Sequence, residues 1–239
     1  IYGYYLGASD VLEGGAGNDA LVGFSFYNGI YYSLQEVSYF GGLGNDLYVI
    51  GTNTAGAAGL DSGGTDTAVL LGSGSIAALA GSIGAALAAM VANLTAGKAE
   101  FADRYEELDG LAARAQGVKD LLLAAVDADT QAFNGVMDAL RMPKDTPDQK
   151  TARSQALQSG YRHATEVPLQ TTRQCRAALE LCLLAARCGN DVMITDAGVG
   201  ALVAHAGVKG AAYNARINLK SIKDPEFVAR VGAEIAHLL

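Results

Sequence analysis

The sequence predicts a mainly α fold, a helical bundle of about five helices preceded by a short glycine-rich β-roll-like segment. Three observations carry that prediction. The 239 residues change character near residue 71: no Lys or Arg precedes Lys98, and residues 1–71 hold seven of the 25 acidic side chains, 15 of the 30 glycines and eight of the 11 tyrosines. Beyond the break, a seven-residue frame puts Phe101, Tyr105, Leu108, Ala112, Ala115, Leu122, Val126, Phe133, Val136 and Leu140 on one seam of a long helix. The connections that follow are short and carry helix start and stop residues. Two domains result, residues 1–71 and 72–239, and with half its residues apolar the chain can bury a sizeable core. The net charge of −8 comes nearly all from the first segment and favours a cation over nucleic acid as a partner.

In the first segment, Gly14 to Val22 reads GGAGNDALV and Gly41 to Val49 reads GGLGNDLYV, with a weaker copy over Tyr5 to Glu13. Each follows the nonapeptide G-G-x-G-x-D-x-U-x, in which glycines turn carbonyls inward, Asp offers a hard oxygen ligand and an apolar residue packs beneath a short strand. These residues resemble the repeats-in-toxin calcium-binding family, and GGTDTAVL from Gly63 to Leu70 resembles the tail that often follows such repeats. The resemblance implies calcium as the ion, with Asp10, Asp19 and Asp46 as the candidate metal ligands. In the parallel roll it implies, loops sharing an ion lie eighteen residues apart. The two good copies are 27 apart, which places Asp19 and Asp46 on opposite edges if the register holds.

From Leu71 to Gly97 there is no charge. Ile76, Leu79, Ile83, Leu87, Met90 and Leu94 recur at helical spacing, while Ala77, Gly81, Ala85 and Ala89 form a separate track of small residues. That pattern predicts a helix pressed closely between others rather than a membrane span, because Ala and Gly contribute little to insertion and Ser75, Ser82 and Asn93 oppose it. Gly74 and Ser75 stand at the helix start, where free backbone N–H groups can receive an anionic or carbonyl group and Ser75 can cap or bind.

The second helix is expected from Ala99 to Leu140, ended by Pro143. Thr146, Pro147 and Gln149 form a capping box for the third, which Pro168 bends or restarts near Thr165. A stretch from Leu169 to Cys188 ends at Gly189, Thr195 caps the next helix, and Asp224 with Pro225 starts a last one still running at Leu239. Asp129 falls on the apolar seam. A carboxylate on a buried stripe costs several kcal/mol unless partnered, neutralised or put to use. Asn214 and Asn218, one turn apart, can serve a heterocycle or bond across helices. Lys98, Arg141 and Lys144 fall at helix ends, and His205 stands without a second metal-spaced ligand. Cys175, Cys182 and Cys188 share one helical stretch without a CxxC pair and read as reduced core thiols of a reducing compartment. No basic stretch followed by an apolar one opens the chain, and with Ile1 first the expectation is an excised piece of a longer protein.

The blocks Gly74 to Gly81 (GSIAALAG), Met90 to Lys98 (MVANLTAGK), Val126 to Phe133 (VDADTQAF), Met142 to Lys150 (MPKDTPDQK), Glu166 to Leu169, Cys188 to Asn190, Thr195-Asp196, Ala212 to Asn214 and Ile217 to Leu219 occur in an order that resembles the cyclodeaminase domain of formiminotransferase-cyclodeaminase and its stand-alone relatives, the methenyltetrahydrofolate cyclohydrolases. The resemblance spans about residues 72–239. It implies conversion of formimino-tetrahydrofolate to methenyl-tetrahydrofolate with loss of ammonia, or hydrolysis of the methenyl bridge, with a tetrahydrofolate derivative as substrate and no metal. It makes Asp129 and Asp127 candidate catalytic groups, although Asp127 lies off the seam, and Asp196 a third, which can equally be an N-terminal helix carboxylate. Gly74, Ser75, Asn214 and Asn218 are then candidate substrate-binding residues, and Lys98, Arg141 and Lys144 suit the glutamate carboxylates. The family's usual P-G-G-G-S is altered here, with Leu71 and Ser73 at the proline and central glycine.

The expected protein is therefore a folate-converting enzyme with a folate small molecule as partner. It is a homodimer, because its small-residue faces exceed what five helices bury internally, and it has no nucleic-acid or membrane partner. The helical domain suits the cytoplasm, whereas repeats of the calcium type belong to secreted proteins. The rival expectation is a catalytically silent helical interaction module with a calcium-binding repeat appendage.

Overall fold

The computed structural model describes residues 72–239 in full and, before them, the backbone of seven short strands between Tyr2 and Leu71. The chain divides into two compact units, Ile1–Ser73 and Gly74–Leu239. In the first, β1 (Tyr2–Gly3), β3 (Ala20–Phe24), β5 (Leu47–Gly51) and β7 (Thr67–Leu71) form one parallel sheet in that order, and β2 (Val11–Glu13), β4 (Ser38–Phe40) and β6 (Ala58–Gly59) form another. The strands that follow the two good repeat copies are neighbours in register, Ala20 opposite Leu47. Among the described residues, one strand of the other sheet, β4, lies between them in the chain. Asp10, Asp19 and Asp46 lie outside the described residues.

The second unit is mainly helical, with five helices: α1 (Ser73–Ala96), α2 (Tyr105–Arg141), α3 (Pro147–Cys188), α4 (Ile194–Leu219) and α5 (Pro225–Leu238). α1 sits at its centre. Its small-residue track is buried, Ala77, Ala78, Gly81, Gly84, Ala85, Ala88 and Ala89 among it, and it meets Leu111, Ala112 and Ala115 of α2, Leu181, Cys182 and Ala185 of α3 and Ala197 of α4. The approach is close enough that backbones nearly touch: a Cβ on Gly84 would stand 2.7 Å from the carbonyl oxygen of Gly200, and one on Gly207 2.8 Å from that of Ala77. The thiols of Cys175 and Cys182 fill the remaining gaps and donate to the carbonyls of Ala77 and Gly84 at 3.5 and 3.2 Å. Burial pushes these thiols up to about 12 and about 11. A second core joins α5 to α3 and α4 through Phe227, Val231 and Ile235 against Leu169, Ala212, Ala215 and Leu219; each of the three α5 side chains is worth about 1.5–3 kcal/mol on burial. Two segments, α1 and Asp191–Leu219, are long and apolar enough to cross a membrane, and 61% of the apolar window of α1 is buried within the protein.

Several helix limits follow the sequence. The Thr146 hydroxyl accepts from Gln149 N at 3.2 Å while the Gln149 side chain accepts from Thr146 N at 3.1 Å, and the Asp224 carboxylate accepts from Glu226 N and Phe227 N. These backbone bonds, Phe227 first, hold the Asp224 carboxyl below its ordinary value. Others differ. A 3₁₀ turn over Ala99–Arg104 precedes α2. Pro168 does not restart a helix: α3 runs 42 residues through it. Asn190, not Thr195, makes the cap before α4, accepting from Val192 N at 3.0 Å over a 3₁₀ turn. Gly189 ends α3 in an extended conformation, and glycine is required there by contact: a Cβ would lie 2.5 Å from Ala185 O and 2.7 Å from Val91. On α2 the buried stripe passes through Leu122, Ala132, Val136 and Ala139, leaving Phe133 58% exposed and Leu140 and Tyr105 exposed. The buried row Leu111, Ala132 and Ala139 keeps a seven-residue repeat one position before the row Ala112, Phe133 and Leu140, so the stripe lies on the other side of Leu108, Leu122 and Val136.

The packing of α1 yields a paired expectation. Gly84→Val overpacks the α1–α4 crossing and costs about 1–3 kcal/mol, whereas Gly110→Ala, in open space on α2, gains about 0.5–1 kcal/mol. Thermal melts of the two variants should move in opposite directions from the parent.

Candidate active site

Asp129 lies on the buried stripe of α2, one turn before Ala132, and points at the start of α1. Its Oδ2 accepts from Ser75 N at 2.9 Å and lies 3.0 Å from Ser75 Oγ; its Oδ1 accepts from Asn214 Nδ2 at 3.3 Å. Ser75 is fully buried and its Oγ is also 3.1 Å from the carbonyl oxygen of Val126. Gly74 completes the contact, since a Cβ there would stand 2.1 Å from Asp129 Oδ1 and 2.2 Å from Asn214 Nδ2. The side chains thus come from three helices, and α1 contributes the end whose unpaired N–H groups and dipole favour a negative charge.

These forces oppose one another. Burial raises the Asp129 carboxyl above its ordinary value, and the Ser75 hydroxyl, the Ser75 N–H and the Asn214 amide pull it back, in that order. A hydroxyl has one hydrogen to donate. When Ser75 gives it to Asp129, the carboxyl is ionised; when Ser75 gives it to Val126 O, the Oγ–Oδ2 contact takes the proton of a neutral Asp129. Either protonation state is therefore satisfied after rotation about one bond. The Val126 carbonyl had no signal in the sequence beyond its place one turn before Asp129.

Of the residues singled out from the sequence, Gly74, Ser75, Asp129, Asn214 and Asn218 come together. Asn218 donates through Nδ2 to the Ala164 carbonyl at 2.5 Å and lies 3.5 Å from Asn214 Oδ1. Asp127 is exposed, as its place off the seam requires. Asp196 stands in the first turn of α4, 18 residues before Asn214 and so roughly 27 Å along that helix. Lys98 follows the opposite end of α1 from Ser75. Arg141 is exposed and pairs with Asp138 at 3.3 Å, and Lys144 is exposed in the connection to α3. Within one chain these cations and Asp196 are apart from Asp129. His205 is exposed, and among the described residues no three His, Cys, Asp or Glu side chains converge on a metal-sized site.

Residues 67–237 match the family described as formiminotransferase-cyclodeaminase. Over 168 residues the chain is 38% identical to the methenyltetrahydrofolate cyclohydrolase of Methylorubrum extorquens, a match that covers 70% of this chain and 81% of that protein. It is also 38% identical over 168 residues to the formimidoyltransferase-cyclodeaminase of Sus scrofa, where it spans 31% of the relative's length. Among solved structures, the formiminotetrahydrofolate cyclodeaminase of Thermotoga maritima aligns with a TM-score of 0.62 at 26% identity, over 70% of this chain and 79% of that one. With its helical unit matched almost from end to end, the chain belongs to the formiminotransferase-cyclodeaminase family.

Proposed function

We propose that this protein is an enzyme of folate one-carbon interconversion, which closes formimino-tetrahydrofolate to methenyl-tetrahydrofolate with release of ammonia or opens the methenyl bridge with water. The observation that carries the reading is the half-buried Asp129 carboxyl held at the N-terminus of α1, in a chain whose relatives are named for these reactions. Both reactions pass through a carbon held between two nitrogens and carrying positive charge. In closure the second folate nitrogen attacks the formimino carbon and loses its proton, and the departing nitrogen takes up a proton and leaves as ammonia; in opening, water adds to the methenyl carbon and loses a proton, and one carbon–nitrogen bond of the bridge breaks as its nitrogen is protonated. A carboxyl whose proton affinity is raised by burial can give or take that proton, and its ionised form stabilises the cationic carbon. Ser75 follows the proton by turning its hydroxyl, and Gly74 leaves room for the approach. The tetrahydrofolate derivative is the substrate. A cytoplasmic setting suits this chemistry and the three free thiols.

The same reading includes a homodimer. Ile83, Met90 and Leu94 of α1 and Val199 and Leu202 of α4 are exposed, Leu202 at 72%, and large apolar groups left bare on central helices mark an interface. We assign these faces to a second copy rather than to a membrane. An antiparallel pairing of the two α1 helices brings the end of one protomer that carries Lys98 and Asp196 to the Asp129 end of the other, which offers those groups a route to the folate. Residues 1–71 are proposed as a calcium-dependent roll; the support is the G-G-x-G-x-D copies together with the separation of odd and even strands into two parallel sheets.

Asp129→Asn lowers turnover of either folate by roughly a hundredfold or more, followed by methenyl absorbance and ammonia release. Because burial raises the Asp129 carboxyl, the stability it contributes is complete below the unfolded value and is lost as pH rises through the folded value. Thermal melts near neutral pH should therefore find Asp129→Asn no less stable than the parent; undiminished turnover would reject the assignment. Leu202→Glu should convert a dimer to monomer in light scattering, and a mass unchanged by that substitution would reject the interface. Calorimetric titration of the chain with calcium should give heat and added order, and silence would dismiss the roll.

A further inference from the structure

α3 is continuous from Pro147 to Cys188 although Pro168 stands near its middle. Proline has no N–H, so the carbonyl four residues earlier, that of Ala164, loses its intrahelical donor. The side chain of Asn218 on α4 supplies one instead, with Nδ2 at 2.5 Å. The same nitrogen lies 3.5 Å from Asn214 Oδ1, and since Nδ2 carries two hydrogens both bonds can form together. With its oxygen so engaged, Asn214 presents Nδ2 to Asp129 at 3.3 Å. The amide orientations are thus dictated in sequence from the proline outward: reversing Asn218 would set two carbonyl oxygens against each other at Ala164, and reversing Asn214 would do the same at Asp129.

We propose that Pro168 and Asn218 are positioning residues of the Asp129 site: the N–H missing from Pro168 commits the Asn218 amide, and Asn218 in turn fixes Asn214 with a donor rather than an acceptor toward the carboxylate. This rests on the reading of Asp129 as the proton-transfer group and gives Asn218 a role other than contact with the pterin. Within the helical unit the groups facing Asp129 are Ser75 from α1 and Asn214 from α4, both uncharged; α1 carries no charged residue, Asp127 on α2 is exposed, and on α3 the titratable side chains beside the proline, His163 and Glu166, are exposed. Asn214 is thus one of three donors, after the Ser75 hydroxyl and N–H, that favour the ionised carboxylate. A donor favours the ionised carboxylate, and loss of it moves the titration to higher pH.

Pro168→Ala returns an N–H to Ala164 and releases Asn218, while alanine suits a helix interior, so the variant keeps its fold. Asn218→Ala removes the link directly. In protein labelled with carbon-13 at the aspartate carboxyls, the signal that is missing from Asp129→Asn should titrate about half a pH unit higher in each variant, roughly a threefold change in proton affinity. The double variant should shift no further than either single one. The limb of the rate profile set by that group should move with it at unchanged KM. An unmoved titration in either single variant, or additive shifts, overturns the proposal. A wild-type protein that converts neither folate while the titration still shifts rejects the enzymatic reading and upholds the coupling.

Discussion

The close approach of α1 to α2, α3 and α4 sets the position of every group in the candidate site. An Ala- and Gly-rich surface buries little apolar area per residue, so its stabilisation comes from many short contacts that exist only if the backbones come near. Gly84 against Gly200 and Gly207 against Ala77 and Gly81 show how near they come. That proximity lets the first turn of α1 reach the Asp129 carboxylate with a backbone N–H, and lets Asn214, on the helix packed across it, reach the same carboxylate from the other side. A wider crossing would leave Asp129 hydrated and its proton affinity ordinary.

The electrostatics follow from that geometry. The carboxyl is not fully desolvated and, among the described residues, has no ion-pair partner; uncharged donors and a helix end offset part of its burial. The result is a group for which both protonation states have hydrogen-bond partners at hand, the condition under which an acid can cycle without large rearrangement. Cys175 and Cys182, pressed against α1 carbonyls, are too strongly protonated to compete as nucleophiles.

How much of this was legible in the sequence depends on the range of the interaction. Thr146 and Gln149, or Asp224 and Pro225, act within one helical turn, and their spacing alone located the starts of α3 and α5. The position of Asp129 on a buried stripe was readable because helical periodicity is local, although the buried row runs through Leu111, Ala132 and Ala139, one position before the expected Ala112, Phe133 and Leu140. Pro168 was misread because its remedy is not local: the donor that keeps α3 whole comes from Asn218, 54 residues beyond Ala164. Asp196 and Lys98 belong to segments that resemble the family, yet they lie at the end opposite Asp129, and no periodicity argument reveals which end of a helix meets which.

The dependence of α3 on that distant amide has a consequence for the order of assembly during translation. Residues 164–168 leave the ribosome well before Asn218, and until α4 arrives the Ala164 carbonyl has only water to bond. The bond that spans the proline can thus form only once α4 is present, and the side chain that makes it also comes to rest beside the asparagine that faces the acid.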